Sequence, residues 1–169
     1  IEEPKSPLKL ASSPNLFKLF SIDVVLLACQ YSDGIQLRIL TGDDTINYGA
    51  IYENVVAQEL LAHGFEDQFY YNSKKMGEVD FVTELNGNVF PIEVKSGKEY
   101  YRHRALNNIL DCTEYTIPEA IVLCNDNVKI EGKVKYLPIY MMLFIYKEQV
   151  KNITFNLDLN GLNSGTGLF

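Results

Sequence analysis

The stretch GEVDFVTELNGNVFPIEVK, residues 77–95, decides how the rest of this chain is read. Asn86-Gly87 lies between two runs that alternate apolar and polar residues. An Asn-Gly pair in that setting is the strongest short-range sign of a β-hairpin with a two-residue turn. A two-residue turn sets the register. Leu85 must face Asn88, Thr83 must face Phe90, Phe81 must face Ile92, and Asp80 must face Glu93. Two pairs further out, on the same face, Glu78 would face Lys95. Side chains on a strand alternate between faces. That places Val79, Phe81, Phe90, Ile92 and Val94 on one face and Glu78, Asp80, Glu93 and Lys95 on the other.

The second face carries the chemistry. Like charges directly opposite on paired strands are destabilising, yet Asp80 and Glu93 are set head to head. Counted from the turn, theirs is a non-hydrogen-bonded pair, in which the Cα atoms approach to about 4.5 Å. Pro91 falls in the same class of pair, where its missing N–H costs no ladder bond to Val82. Two carboxylates held this close share either a proton or a cation. Mg²⁺, or Mn²⁺ in its place, suits such a pair, because a hard ion takes oxygen ligands and keeps waters for chemistry. Lys95 adds a positive donor beside it. The competing reading is a solvated strand face on which charges alternate without consequence.

Upstream, residues 41–44 form a candidate N-cap cluster, and the pattern predicts a helix over residues 45–63 closed by Gly64 at C′. Its apolar stripe includes Val56, Ala57, Leu60 and Leu61. Glu53 shares that stripe by helical spacing. A carboxylate on a core-facing stripe is costly unless it is paired or bound to a cation, so Glu53 joins the hairpin acids as a candidate for metal or water positioning, with Asn54 beside it. Residues 68–72 read as the strand before the hairpin. Residues 101–112 read as a helix with Ala105, Leu106, Ile109 and Leu110 buried, and His103 in its first turn reads as a surface or phosphate-contacting residue. EAIVLC, residues 119–124, is a continuous apolar run of the kind that marks a buried parallel strand after a crossover helix. Residues 128–137 suggest a further strand or hairpin around Gly132, and Pro138 can open a last helix over residues 139–146.

Asp80, then Glu93-Val94-Lys95 after a hairpin, preceded by a helical Glu53, resembles the PD-(D/E)xK nuclease superfamily. More narrowly, GAIYENVVAQEL, GEVDFV and PIEVKSG in that order resemble the uncharacterised C-terminal domain of bacterial and archaeal AAA-type ATPases. NLFKLFSIDVVLLA is similar to the segment that precedes it there. The resemblance spans about residues 16–144. The superfamily's leading proline is absent, since Val79 precedes Asp80. The resemblance implies an α/β fold, a restriction-endonuclease-like sandwich with a mixed sheet in the core order α-β-β-β-α-β. It also implies hydrolysis of phosphodiester bonds in nucleic acid, DNA favoured over RNA. Asp80, Glu93 and the backbone carbonyl of Val94 would hold the metal, Lys95 would assist attack, and Glu53 would hold a second ion or a metal-bound water. A catalytically silent docking or regulatory module of an ATPase is the alternative.

The remaining features bound these readings. At 169 residues, 47% apolar and 22% charged, the chain can form one real core. The net charge of −7 argues against a protein that depends on nucleic-acid electrostatics alone. Lys74, Lys75, Lys98, Arg102 and Arg104 nevertheless flank the acidic hairpin and form a candidate phosphate-facing rim. No GxxxxGK[ST] motif occurs, so a P-loop ATPase partner would lie in another part of the full-length chain or in a separate protein. The longest apolar run, residues 24–29, is too short to span a bilayer, and Asp23 before it can cap a helix. Cys29, Cys112 and Cys124 lack metal-ligand spacing and read as reduced residues of a cytoplasmic protein. Residues 35–40 are ambiguous between helix and strand. Residues 1–15 read as a linker or the tail of a preceding ATPase domain, residues 16–146 as the nuclease-like domain, and residues 147–169 as a strand-like segment with a flexible tail.

Overall fold

The structure, a computed structural model, describes residues 1–43 and 45–147; the segment expected as a strand and tail lies outside these but for its first residue. The helix α1, Val24–Cys29, starts where Asp23 accepts hydrogen bonds from the N–H groups of Val25 (2.6 Å) and Leu26 (3.2 Å). The ambiguous stretch that follows is helical, α2, Ile35–Leu40. The long helix α3 is Gly49–Ala62, shorter at its start than residues 45–63. Asp43 does not cap it: its carboxylate is engaged by Thr45 and by Arg38, while Asn47 accepts from the Gly49 N–H at 3.1 Å. Polar side chains hold a turn there that delays the helix.

The strands are β1 (Phe69–Ser73), β2 (Gly77–Leu85), β3 (Asn88–Val94), β4 (Ala120–Cys124), β5 (Lys129–Glu131) and β6 (Val134–Pro138), with α4 (Arg104–Asp111) between β3 and β4. From α3 to β4 the order is the expected α-β-β-β-α-β, and the strands form one mixed sheet in the order β1-β2-β3-β4-β6-β5. The β2–β3 turn has φ of 52° at Asn86 and 77° at Gly87. Both values lie in the left-handed region that Asn and Gly tolerate. The register is the predicted one from Leu85–Asn88 to Phe81–Ile92. All five residues of β4 are buried, and β4 runs parallel to both β3 and β6, which is why it carries no polar face.

Two cores sandwich the sheet. On one face Phe81, Phe90, Ile92, Ile121 and Leu123 pack under Val56, Ala57 and Leu60 of α3 and under Met142. On the other, Val82, Val89, Val122 and Tyr136 pack under Leu106 and Ile109 of α4. From residues 1–15, expected as a linker, Ile1 and Leu8 are buried in this second core, with Ala11 packed against it. The predicted last helix is a six-residue 3-10 turn, Ile139–Phe144. His103 is also placed differently from expectation. It is buried, its Nε2 lies 2.7 Å from the Tyr136 hydroxyl, and α4 begins only after it. Its ring packs on that of Tyr136, so it is a core histidine and not a surface contact.

Candidate active site at a strand fork

The site forms where β2 leaves β3. Phe69 pairs with Val82, but Tyr71 pairs with Val79, so β2 carries one residue more than β1 over this span. Such a bulge breaks the two-residue alternation. Val79 therefore joins the α4-side core with Val82, while Phe81 stays on the α3 side. The single acidic face expected from strict alternation does not exist, because the alternation is interrupted at the acids themselves. The β2–β3 ladder ends at Phe81–Ile92, and beyond it β3 keeps β4 as its partner. The Val94 N–H, left without a ladder acceptor on β2, donates instead to Asp80 Oδ2 at 2.8 Å. The expected facing of Glu78 and Lys95 is absent for the same reason. Glu78 pairs with Asn72 on β1.

Glu93 is 4% exposed. One carboxylate oxygen, Oε1, lies 2.6 Å from Lys95 Nζ; the other, Oε2, is buried with no hydrogen-bond partner. Buried polar atoms of native proteins are almost always paired, so this oxygen marks a place where a partner belongs. The Asp80 carboxyl is pushed up to about 7, first by burial and then by the charge of Glu93, with Glu53 adding to the shift. The Val94 N–H and the Lys18 ammonium act in the opposite direction.

Glu53 reaches the site through a residue that the sequence reading passed over. Lys18 Nζ lies 2.7 Å from Glu78, 3.4 Å from Glu53 and 3.8 Å from Asp80. Burial lowers the affinity of Lys18 for its proton, but Glu78, Glu53 and Asp80 more than offset this and raise its pKa above the ordinary lysine value. The segment that carries Lys18 is clamped to α3: buried Asn54 accepts from the Ser21 N–H (2.7 Å) and donates to the Ser21 carbonyl (3.2 Å). Phe20 stacks on Phe81 with ring centroids 5.5 Å apart. A signal was present in NLFKLF, a lone cation inside an apolar run, but only the fold shows what it faces.

The basic residues divide. Asn108 donates to the Met76 carbonyl at 2.9 Å, and a Cβ on Gly77 would come within 3.0 Å of Ala105, so the turn bearing Lys74 and Lys75 lies close against α4, whose first residue is Arg104. Lys74, Lys75 and Arg104 are exposed. Arg102 is held by Glu99 at 2.7 Å. Lys98 lines a cleft of about 870 Å³ beyond the carboxyl ends of β3 and β4, together with Tyr48, Tyr52, Tyr100 and Asn125.

The residues fit a hard divalent cation in a limited way. Asp80, the orphan oxygen of Glu93 and the Val94 carbonyl supply oxygen donors, and Mg²⁺ is commonly bound by one or two carboxylates with waters and substrate phosphates completing the shell. Among the described residues, no group of three or more His, Cys, Asp or Glu side chains lies at metal-holding spacing. Glu53 and Asp80 are both reached by the Lys18 ammonium.

A family model described as a domain of unknown function, DUF4143, matches residues 48–142. The chain belongs to this family. The DUF4143 family is one of C-terminal domains associated with ATPases. Its match takes in every strand of the sheet and Glu53, Asp80, Glu93 and Lys95, whereas Lys18 lies before it. No curated protein and no solved structure matches the chain. Among the described residues no helix is long and apolar enough to cross a membrane.

Proposed function

We propose that this DUF4143 domain is a metal-dependent phosphodiesterase that cuts nucleic acid, DNA in preference to RNA, and that it works with a P-loop ATPase in the same full-length chain or in a partner. The observation that carries the reading is the unpaired, buried Oε2 of Glu93 at a fork that also holds Asp80. The α-β-β-β-α-β order is that of the nuclease superfamily the motifs resemble. Asp80, Glu93 and the Val94 carbonyl would hold Mg²⁺ or Mn²⁺. Such an ion supplies a lowered water pKa and neutralisation of phosphate charge. Lys95, anchored on Glu93 Oε1, places an ammonium where charge grows on the phosphate oxygens during attack by water. The Val94 N–H fixes the Asp80 carboxylate, and in the metal-free chain Lys18 ties it to Glu53. Lys74, Lys75 and Arg104 offer phosphate contacts along one edge, with Lys98 in the neighbouring cleft; Arg102, already paired with Glu99, is the weakest member of that rim.

Cleavage of branched DNA, single strands and RNA, with Mg²⁺ or Mn²⁺ and with and without the partner ATPase, tests this. Wild type should nick at least one substrate. Lys95→Ala and Glu93→Ala should lose activity by roughly 10²-fold or more, as removal of one charge-stabilising group does in other enzymes. Equal trace cleavage by wild type and Lys95→Ala on every substrate would overturn the proposal. The second reading, a silent docking module, would then stand. It is favoured by the acidic net charge and by the ammoniums of Lys18 and Lys95 already seated on the acids.

A further inference from the structure

We propose that Lys18 is the resident cation of this site: its ammonium holds the place beside Asp80 that a divalent ion takes, and metal binds as Lys18 withdraws. The inference rests on the metal-dependent reading above. Three carboxylates, Glu53, Glu78 and Asp80, converge on one ammonium within 3.8 Å. A surface lysine does not collect three acids from a helix and a strand that are distant in sequence. The Lys18 side chain is only 22% exposed, and its Nζ also lies 5.2 Å from the centre of the Tyr70 ring.

The position is imposed. Asn54 grips Ser21 at both its N–H and its carbonyl, Gln58 accepts from the Val24 N–H at 3.2 Å, and Phe20 is stacked on Phe81. These contacts bring the 18–24 segment down on α3 and aim Lys18 at the fork. A cavity of about 370 Å³ beside it, lined by Phe17, Lys18, Phe20, Tyr70 and Asp80 among others, gives an ion a route to Asp80 and gives the lysine stem room to swing. Two cations a few Å apart in a half-buried pocket repel strongly. Divalent metal and the seated ammonium are therefore alternatives. Glu78, the nearest acid to Lys18, would act as its holder and not as a metal ligand.

The test is Mn²⁺ binding to the metal-free chain, read by paramagnetic resonance of free Mn²⁺ and by calorimetry, with no substrate present. Lys18→Met keeps the apolar stem and removes the charge; it should bind Mn²⁺ about tenfold tighter than wild type or more. Lys18→Arg should bind no tighter than wild type. Asp80→Asn should bind weakly whether or not Lys18 is also replaced. A second route loosens the segment: Asn54→Ala, with Lys18 intact, should also tighten Mn²⁺ binding, so a folding failure of one variant leaves the other decisive. Equal Kd values for wild type, Lys18→Met and Asn54→Ala would overturn the role of Lys18 while leaving the metal site in place. No Mn²⁺ binding by any of them would instead remove the metal-dependent reading itself.

Discussion

The two halves of the β2–β3 hairpin look equally regular in sequence and behave in opposite ways. From Phe81–Ile92 to the turn the strands pair residue for residue, and Phe81, Val82, Phe90 and Ile92 are buried on both faces. Below Phe81 the pairing stops, a bulge turns Val79 over, and the backbone bond that a ladder would make is replaced by the Asp80 side chain. The distal half is stabilised by apolar burial, which no pH change alters. The proximal half buries Asp80, whose carboxyl resists ionisation, and it is stabilised when that carboxyl is neutral. A paired strand tolerates buried charge only where it can open, and the opening is what exposes the Val94 N–H and the Asp80 carboxylate to each other.

Substitutions on either side of Phe81 can break or sharpen this contrast. The largest effect belongs to the distal half. Phe81 is 1% exposed and stacked on Phe20, so Phe81→Ala should cost about 3–5 kcal/mol in denaturant unfolding, with no dependence on pH. A loss that varied strongly with pH would mean that the two halves are one electrostatic unit.

Asp80→Asn comes next and has the opposite sign. Folded Asp80 keeps its proton up to about pH 7, whereas the unfolded carboxyl releases it near 3.8. Between those values the native state binds more protons than the unfolded one, so wild-type stability falls as pH rises through the window. Asn can still accept from the Val94 N–H. Metal-free Asp80→Asn should therefore lose this fall of stability with pH and be more stable than wild type above pH 7, by an amount on the order of a few kcal/mol. Urea titrations at pH 5 and pH 8 measure it; a mutant less stable than wild type at pH 8 would make Asp80 a net stabilising acceptor. The smallest effect is at the turn. A Cβ on Gly87 meets nothing within 4 Å, so Gly87→Ala, at φ of 77°, should cost only the left-handed penalty of about 1–2 kcal/mol, independent of pH and metal.

Local signals carried the reading wherever one segment's chemistry suffices. Asn86-Gly87 sets the hairpin register because only such residues adopt the turn's positive φ values. EAIVLC announced a parallel strand because both its faces are covered. The resemblance to ATPase-associated C-terminal domains agrees with the family match, and it rested on the blocks GAIYENVVAQEL, GEVDFV and PIEVKSG in that order. Asp23 capped the helix it was expected to cap, since a cap bonds within three residues of itself.

What only the tertiary structure decided lies in contacts between segments distant in the chain. The bulge at Asp80 is a property of β1 against β2, and strict alternation along β2 has no means of showing it. His103 is buried because Tyr136, on β6, receives it. Asp43 failed to cap α3 because Arg38 and Thr45 held it first. Lys18 enters the site because Asn54 holds Ser21 from more than thirty residues away, which places an ammonium among acids from a helix and a strand. Residue types and their spacing along one element name the groups that can do chemistry here; which cation they face depends on through-space packing, a sum over partners that no single stretch of sequence contains.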